Sequence, residues 1–149
     1  SGHSLEQYTI HAGRSIPNIW SIGGFSLSEN TAYACEPFVT TEQGGGFVRN
    51  GKIKNIFAIN SRKKTKNEEA DKLLNFIWEN FNMLPFALRW ITKEWEEKEA
   101  RELLEILVKK KAVQAYPVLI EINEQRVAQA EHTFIPMESG VTVTTKALT

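Results

Sequence analysis

Between Ala70 and Phe81 the apolar residues Ala70, Leu73, Leu74, Ile77 and Phe81 recur at three- and four-residue steps, the stripe of one amphipathic helix. A second, short helix is expected after Pro85, a residue that suits a first turn, and it carries Phe86 and Trp90. A third is predicted from about Lys98 to Lys110. It turns Ala100, Leu103, Leu104, Leu107 and Val108 inward and ends in lysines, where the helix dipole favours cations.

The pattern on either side is of a different kind. Residues 1–59 are short apolar stretches broken by turn formers at Gly13, Ile16-Pro17-Asn18, Gly23-Gly24 and Gly44-Gly45-Gly46, which reads as strands. Two are Tyr8 to His11 and Thr31 to Phe38, the latter with a carboxylate inside it. After Lys111 strands are expected at Val113 to Ile122, then, past a turn at Asn123-Glu124, at Arg126 to Pro136 and Val141 to Thr145. The expected class is therefore α+β with an antiparallel sheet. Residues 1–60 and 112–149 form the strand-rich part, and 61–111 an inserted helical, winged-helix-like subdomain.

Composition narrows the possibilities. A chain of 149 residues with 42% hydrophobic positions can bury an ordinary core. Eighteen basic and eighteen acidic side chains cancel, so no overall field draws the molecule to nucleic acid or an anionic membrane. The single cysteine, Cys35, has no partner for an internal disulfide, and no apolar run approaches the roughly 20 residues that span a bilayer. A reducing, cytoplasmic setting is expected. The opening Ser1-Gly2 carries neither a translation start nor a signal peptide, so the sequence is expected to begin inside a longer one.

Chemistry gathers on a few side chains. His3 and His11 stand near the start, and Glu36 and Glu131 each lie in a strand-like run. One by one they have bland readings: a histidine in a strand is commonly a hydrogen-bonded structural residue, and a lone glutamate is commonly solvated. Jointly they differ, because a carboxylate in an apolar strand needs a partner and one imidazole with two carboxylates can hold a divalent ion.

The wording of these segments resembles the type 2 methionine aminopeptidases of the creatinase-like family. The matches are Gly2-His3-Ser4-Leu5-Glu6-Gln7-Tyr8-Thr9-Ile10-His11-Ala12-Gly13, Ile16-Pro17-Asn18, and Tyr33-Ala34-Cys35-Glu36-Pro37-Phe38. Leu84-Pro85-Phe86 with Arg89-Trp90, Tyr116-Pro117 and Ala128-Gln129-Ala130-Glu131-His132-Thr133 follow in the family's order, so the matches cover nearly the whole chain. The helical stretch 67–111 resembles the insertion that separates type 2 from type 1 enzymes. The resemblance implies the C-terminal part of a pita-bread fold and the removal of N-terminal methionine from nascent proteins. It also implies two divalent ions in the complete enzyme, of cobalt, manganese, iron or zinc.

Roles follow from the resemblance position by position. His3 and Glu36 are the expected ligands of one metal, and Glu131 the carboxylate bridging both. Glu36 is also the expected acceptor of the proton from the attacking water, and His11 the histidine that hydrogen-bonds the scissile amide. The methionine pocket is expected to use Ile10, His11, Phe38, Tyr116 and Leu119. His132 and Thr133 flank the bridging carboxylate and are expected to orient it.

The sequence also departs from the family pattern. Two aspartates and a further histidine belong upstream of the Gly-His motif, and this sequence begins one residue before that motif. Four positive charges on two ions are answered by four carboxylates in the complete site, of which Glu36 and Glu131 are here. The expectation is a chain that relies on the N-terminal half of the enzyme and is inactive alone. The alternative is a winged-helix nucleic-acid-binding or protein-interaction module. In that reading the three helices precede a hairpin, Ala115 to Ile122 turning into Arg126 to Phe134. Basic clusters would come from Arg62, Lys63, Lys64 and Lys66 with Lys109, Lys110 and Lys111. Zero net charge weighs against it.

Overall fold

A computed structural model describes residues 1–146, so the last three positions of the expected 112–149 span lie outside the described residues. The chain divides into two compact units, residues 1–48 with 121–146 and residues 49–120. Both are mixed α/β or all-β arrangements built on antiparallel sheets.

The first unit contains a five-stranded sheet of order β10-β9-β3-β1-β2. Its strands are β1 (Gly2–Leu5), β2 (Ser15–Ile16), β3 (Ala32–Cys35), β9 (His132–Met137) and β10 (Gly140–Val143). A two-stranded ladder joins β4 (Phe38–Thr40) to β8 (Val127–Gln129). The register sets His3 opposite Ala34 and Ala34 opposite Thr133. Tyr33, fully buried, stacks on Phe134 at 5.7 Å between ring centroids, and its hydroxyl accepts from the Ser28 amide. At Gly2 the neighbouring strand leaves no room for a side chain: a Cβ there would lie 2.3 Å from the Ala34 carbonyl oxygen. Any side chain at this position requires the two strands to shift.

Sequence and structure part at the first hairpin. The stretch Tyr8 to His11, expected as a strand, holds the turn: Glu6 and Thr9 exchange both backbone hydrogen bonds, with Tyr8 at φ 59°. The chain then doubles back, Ala12 donating to the Ser4 carbonyl and Ser4 to that of Arg14.

In the second unit β5 (Val48–Ile59) lies between β6 (Phe86–Ala87) and β7 (Val113–Glu121). Helices α1 (Glu68–Phe81), α2 (Leu88–Ile91) and α3 (Glu97–Lys109) complete it. The Asn67 side chain caps α1 by accepting from the Ala70 amide, and Glu96 caps α3 by accepting from Lys98 and Glu99. The apolar stripes then meet. Leu73, Ile77, Ile91, Leu104 and Leu107 are buried in one core with Phe57, Phe86 and Val113. Phe86, expected on the second helix, is instead in β6, stacked on Phe57. The hairpin expected between 115–122 and 126–134 does not form, because β7 joins β5 whereas β8 and β9 join β4 and β3.

Glu121 marks the point where the chain re-enters the first unit. It is 4% exposed, and its carboxylate accepts from four backbone amides: Gly45 and Gly46 on Oε1, Asn123 and Gln125 on Oε2. Burial pushes this carboxyl up, and the four amides outweigh it, so the group is held below the ordinary glutamate value. Ile122 also donates to the Phe47 carbonyl at 2.9 Å.

Candidate metal centre

His3 is on β1 and Glu36 one residue past the end of β3. Because side chains alternate along a strand, the pairing of His3 with Ala34 puts Glu36 on the same face as a diagonal neighbour, within reach of a long side chain. His3 Nε2 stands 2.9 Å from Glu36 Oε1, with the two side chains only 12% and 22% exposed. The other ring nitrogen, Nδ1, is buried and finds no hydrogen-bond partner among the described residues.

The hairpin brings the second histidine back to the first. His11 lies edge-on to His3, ring centroids 4.4 Å apart at 63°, and is exposed at the surface. Ile10, beside it, is half-buried. Both positions depend on the reversal at Tyr8, so a turn rather than a strand places them.

The second carboxylate is arranged differently. Glu131 is exposed, in the link between β8 and β9, and the alternation carried one rung past the Cys35–His132 pair sets residue 131 opposite Glu36. Among the described residues no three His, Cys, Asp or Glu side chains gather closely enough to hold an ion. His3 and Glu36 are thus brought together, and Glu131 is not joined to them in one cluster. After it, His132 Nδ1 and the Thr133 amide both meet the Thr145 hydroxyl, at 3.0 and 2.8 Å.

Phe38 begins β4, opposite Gln129. Tyr116 and Leu119 lie on β7 in the second unit, where the Gln114 amide donates to the Tyr116 hydroxyl and Leu119 is exposed. A groove of about 810 Å³ lies wholly in the second unit and is lined by Lys52, Phe57, Arg101 and Leu104 among others. None of the expected site residues lines it.

Residues to which the sequence reading gave no role also touch the site. Gln129 Nε2 approaches Glu36 Oε2 at 3.4 Å, and the Asn18 side chain bonds the backbone of Phe38 twice. Asn18 and Gln129 both fall inside matched segments, but an amide side chain carries no ligand signature. Only its placement shows what it does.

The donor set suits a divalent ion. Two ligand atoms each about 2.0–2.1 Å from one ion, at a right angle to each other, stand about 3 Å apart, close to the His3–Glu36 separation. An imidazole with a carboxylate is also a familiar pairing for borderline ions. Among the described residues no helix is long and apolar enough to cross a membrane.

Comparison with known proteins bears on this site. No protein-family model matches the chain. It is 40% identical over 150 aligned positions to the methionine aminopeptidase of Saccharolobus solfataricus, covering 99% of this chain and 49% of the relative. The corresponding figures for that of Methanocaldococcus jannaschii are 37%, 98% and 48%, and for that of Pyrococcus horikoshii 39%, 98% and 49%. A solved structure of a thermophilic Arx1 superposes with a TM-score of 0.77 at 16% identity, over 95% of this chain and 38% of that one, a likeness of fold. By sequence the chain belongs to the methionine aminopeptidase family, and it spans about half the length of the curated relatives it matches.

Proposed function

We propose that this chain is the C-terminal, ligand-bearing part of a metal-dependent aminopeptidase that removes the N-terminal methionine from nascent proteins. The observation that carries the proposal is the close, half-sequestered pair of His3 Nε2 and Glu36 Oε1 within a family-matched segment. His3 and Glu36 would hold a divalent ion, with Glu131 completing the set when further groups arrive. When bound, such an ion supplies Lewis acidity that polarises a carbonyl and makes water a nucleophile near neutral pH. Cobalt, manganese, iron and zinc all suit the donor set.

The chain's own residues do the rest. Glu36 has a second oxygen, Oε2, which among the described residues meets the long contact from Gln129, and that oxygen takes the proton of the attacking water. His11, exposed beside His3, hydrogen-bonds the scissile amide and stabilises charge developing on its oxygen. Ile10 and Phe38 offer apolar surface to the methionine side chain.

Two carboxylates leave two ions half-neutralised, so the reading includes weak metal binding and no useful turnover by this chain alone. The remaining ligands come from the N-terminal half of the enzyme. Support comes from the exposed run Ile19, Trp20 and Ile22, at 73%, 84% and 90%, a patch of the kind another surface covers. A reducing, cytoplasmic setting accompanies this reading, and the lone Cys35 agrees with it.

Cobalt titration followed by visible absorbance tests the centre. His3→Ala and Glu36→Gln should each weaken binding tenfold or more, about 1.4 kcal/mol or above, whereas His11→Ala should leave it unchanged. Wild-type affinity in both ligand variants would refute the centre. Two tight sites with rapid methionine release by this chain alone would refute its dependence on another half.

A further inference from the structure

Every peptide group next to Glu36 is held by something. The Glu36 amide donates to the Ser1 carbonyl at 2.8 Å, and Pro37, which has no N–H, accepts only a long 3.3 Å bond from Ala130. Phe38 then gives both of its backbone groups to one side chain: its N–H donates to Asn18 Oδ1, and its carbonyl accepts from Asn18 Nδ2, each at 2.8 Å. On an extended strand the N–H and C=O of one residue point to the same edge, so Asn18 occupies the edge of β4 opposite β8. It stands in for a missing strand. An asparagine can do this because its planar amide carries one acceptor and one donor, as a peptide group does.

We propose that Asn18 is a positioning residue. By clamping Phe38 it fixes the Glu36-Pro37-Phe38 segment and so sets the Glu36 carboxylate at its 2.9 Å approach to His3. The proposal rests on the reading of His3 and Glu36 as a metal pair. Ser1 holds both backbone groups of Glu36, and Pro37 brings no amide of its own, so past Glu36 the segment is tied down at Phe38. Asn18 touches neither ion nor substrate. It acts through the backbone.

The test uses the intact chain, cobalt as the probe and three readouts: absorbance titration, thermal unfolding, and hydrogen exchange of the Phe38 amide. Asn18→Ala removes both bonds to Phe38, together with the 3.2 Å bond that Asn18 Oδ1 accepts from the Ser1 nitrogen. Asn18→Asp keeps the acceptor but turns a second oxygen against the Phe38 carbonyl, so both variants should speed exchange at Phe38. Both should also weaken cobalt binding by about tenfold or more, the loss typical of removing support for a ligand. Asn67→Ala, which removes the cap of α1 in the other unit, should lower the unfolding midpoint yet keep cobalt affinity within about twofold.

Wild-type cobalt affinity in both Asn18 variants, with Glu36→Gln impaired, overturns the positioning role and leaves the metal pair standing. If Glu36→Gln also binds as wild type, the metal pair falls and the clamp's purpose falls with it.

Discussion

Replacing Gly2 by alanine should open the sheet at the residue next to His3. The added Cβ would lie 2.3 Å from the Ala34 carbonyl oxygen and 3.3 Å from both Ala34 C and Ile16 Cδ1. An ordinary contact needs about 3.5 Å, so β1 and β3 must part by roughly 1 Å. The nearest obstacle is backbone rather than the end of a flexible side chain, so overpacking should cost about 1–3 kcal/mol. In a unit of this size each kcal/mol moves the midpoint by about 4–8 °C, which makes ~12 °C the central expectation. The same displacement takes His3 Nε2 and Glu36 Oε1 beyond hydrogen-bond reach. Calorimetry with cobalt titration reads both effects. Gly51→Ala is the comparator, since its Cβ meets the Val118 carbonyl at 2.8 Å in the second unit, and it should destabilise without touching cobalt affinity. A Gly2→Ala protein that melts and binds cobalt as wild type would refute this account of the β1–β3 approach.

Three further outcomes can be checked. Glu121, held low by its four amides, contributes stability that is complete above about pH 4.3, the ordinary glutamate value, and lost as pH falls through its own lower value. Urea midpoints should therefore drop more steeply with acid in the wild type than in Glu121→Gln. Leu107→Ala, at a fully buried position between the helices, should cost about 2–5 kcal/mol by denaturant unfolding. Asn67→Ala should cost about 0.5–2 kcal/mol, read the same way, because it leaves the Ala70 amide unbonded at the start of α1.

The helices were the most legible part of the sequence, because Leu73, Leu74, Ile77, Leu103, Leu104 and Leu107 repeat with a period that only a helix can bury on one side. Strand partners were not. The local pattern of 113–121 announces a strand, but whether it pairs with its neighbour in sequence or with β5, more than 50 residues away, is decided by tertiary packing. The turn at Tyr8 was hidden for a related reason: glutamine and tyrosine are not turn formers, and the reversal is imposed by the return of residues 12–16 along β1. Of the site, His3 and Glu36 could be read from their motifs. Asn18 could not, since its part depends on Phe38, twenty residues on.

The carboxylate of Glu121 has a consequence for how the fold tolerates its long excursion. It ties Gly45 and Gly46 to Asn123 and Gln125, so the chain departs for residues 49–120 and returns through a gate that the first unit closes itself. Bringing together the ends of a free loop of about 70 residues costs ~4 kcal/mol in chain entropy, and doubling that length would add only about 0.6 kcal/mol. With the gate pinned by one side chain, the length and content of the excursion become nearly independent of the strands that carry His3 and Glu36. Insertions can accumulate there over evolution while the ligand-bearing strands keep their register.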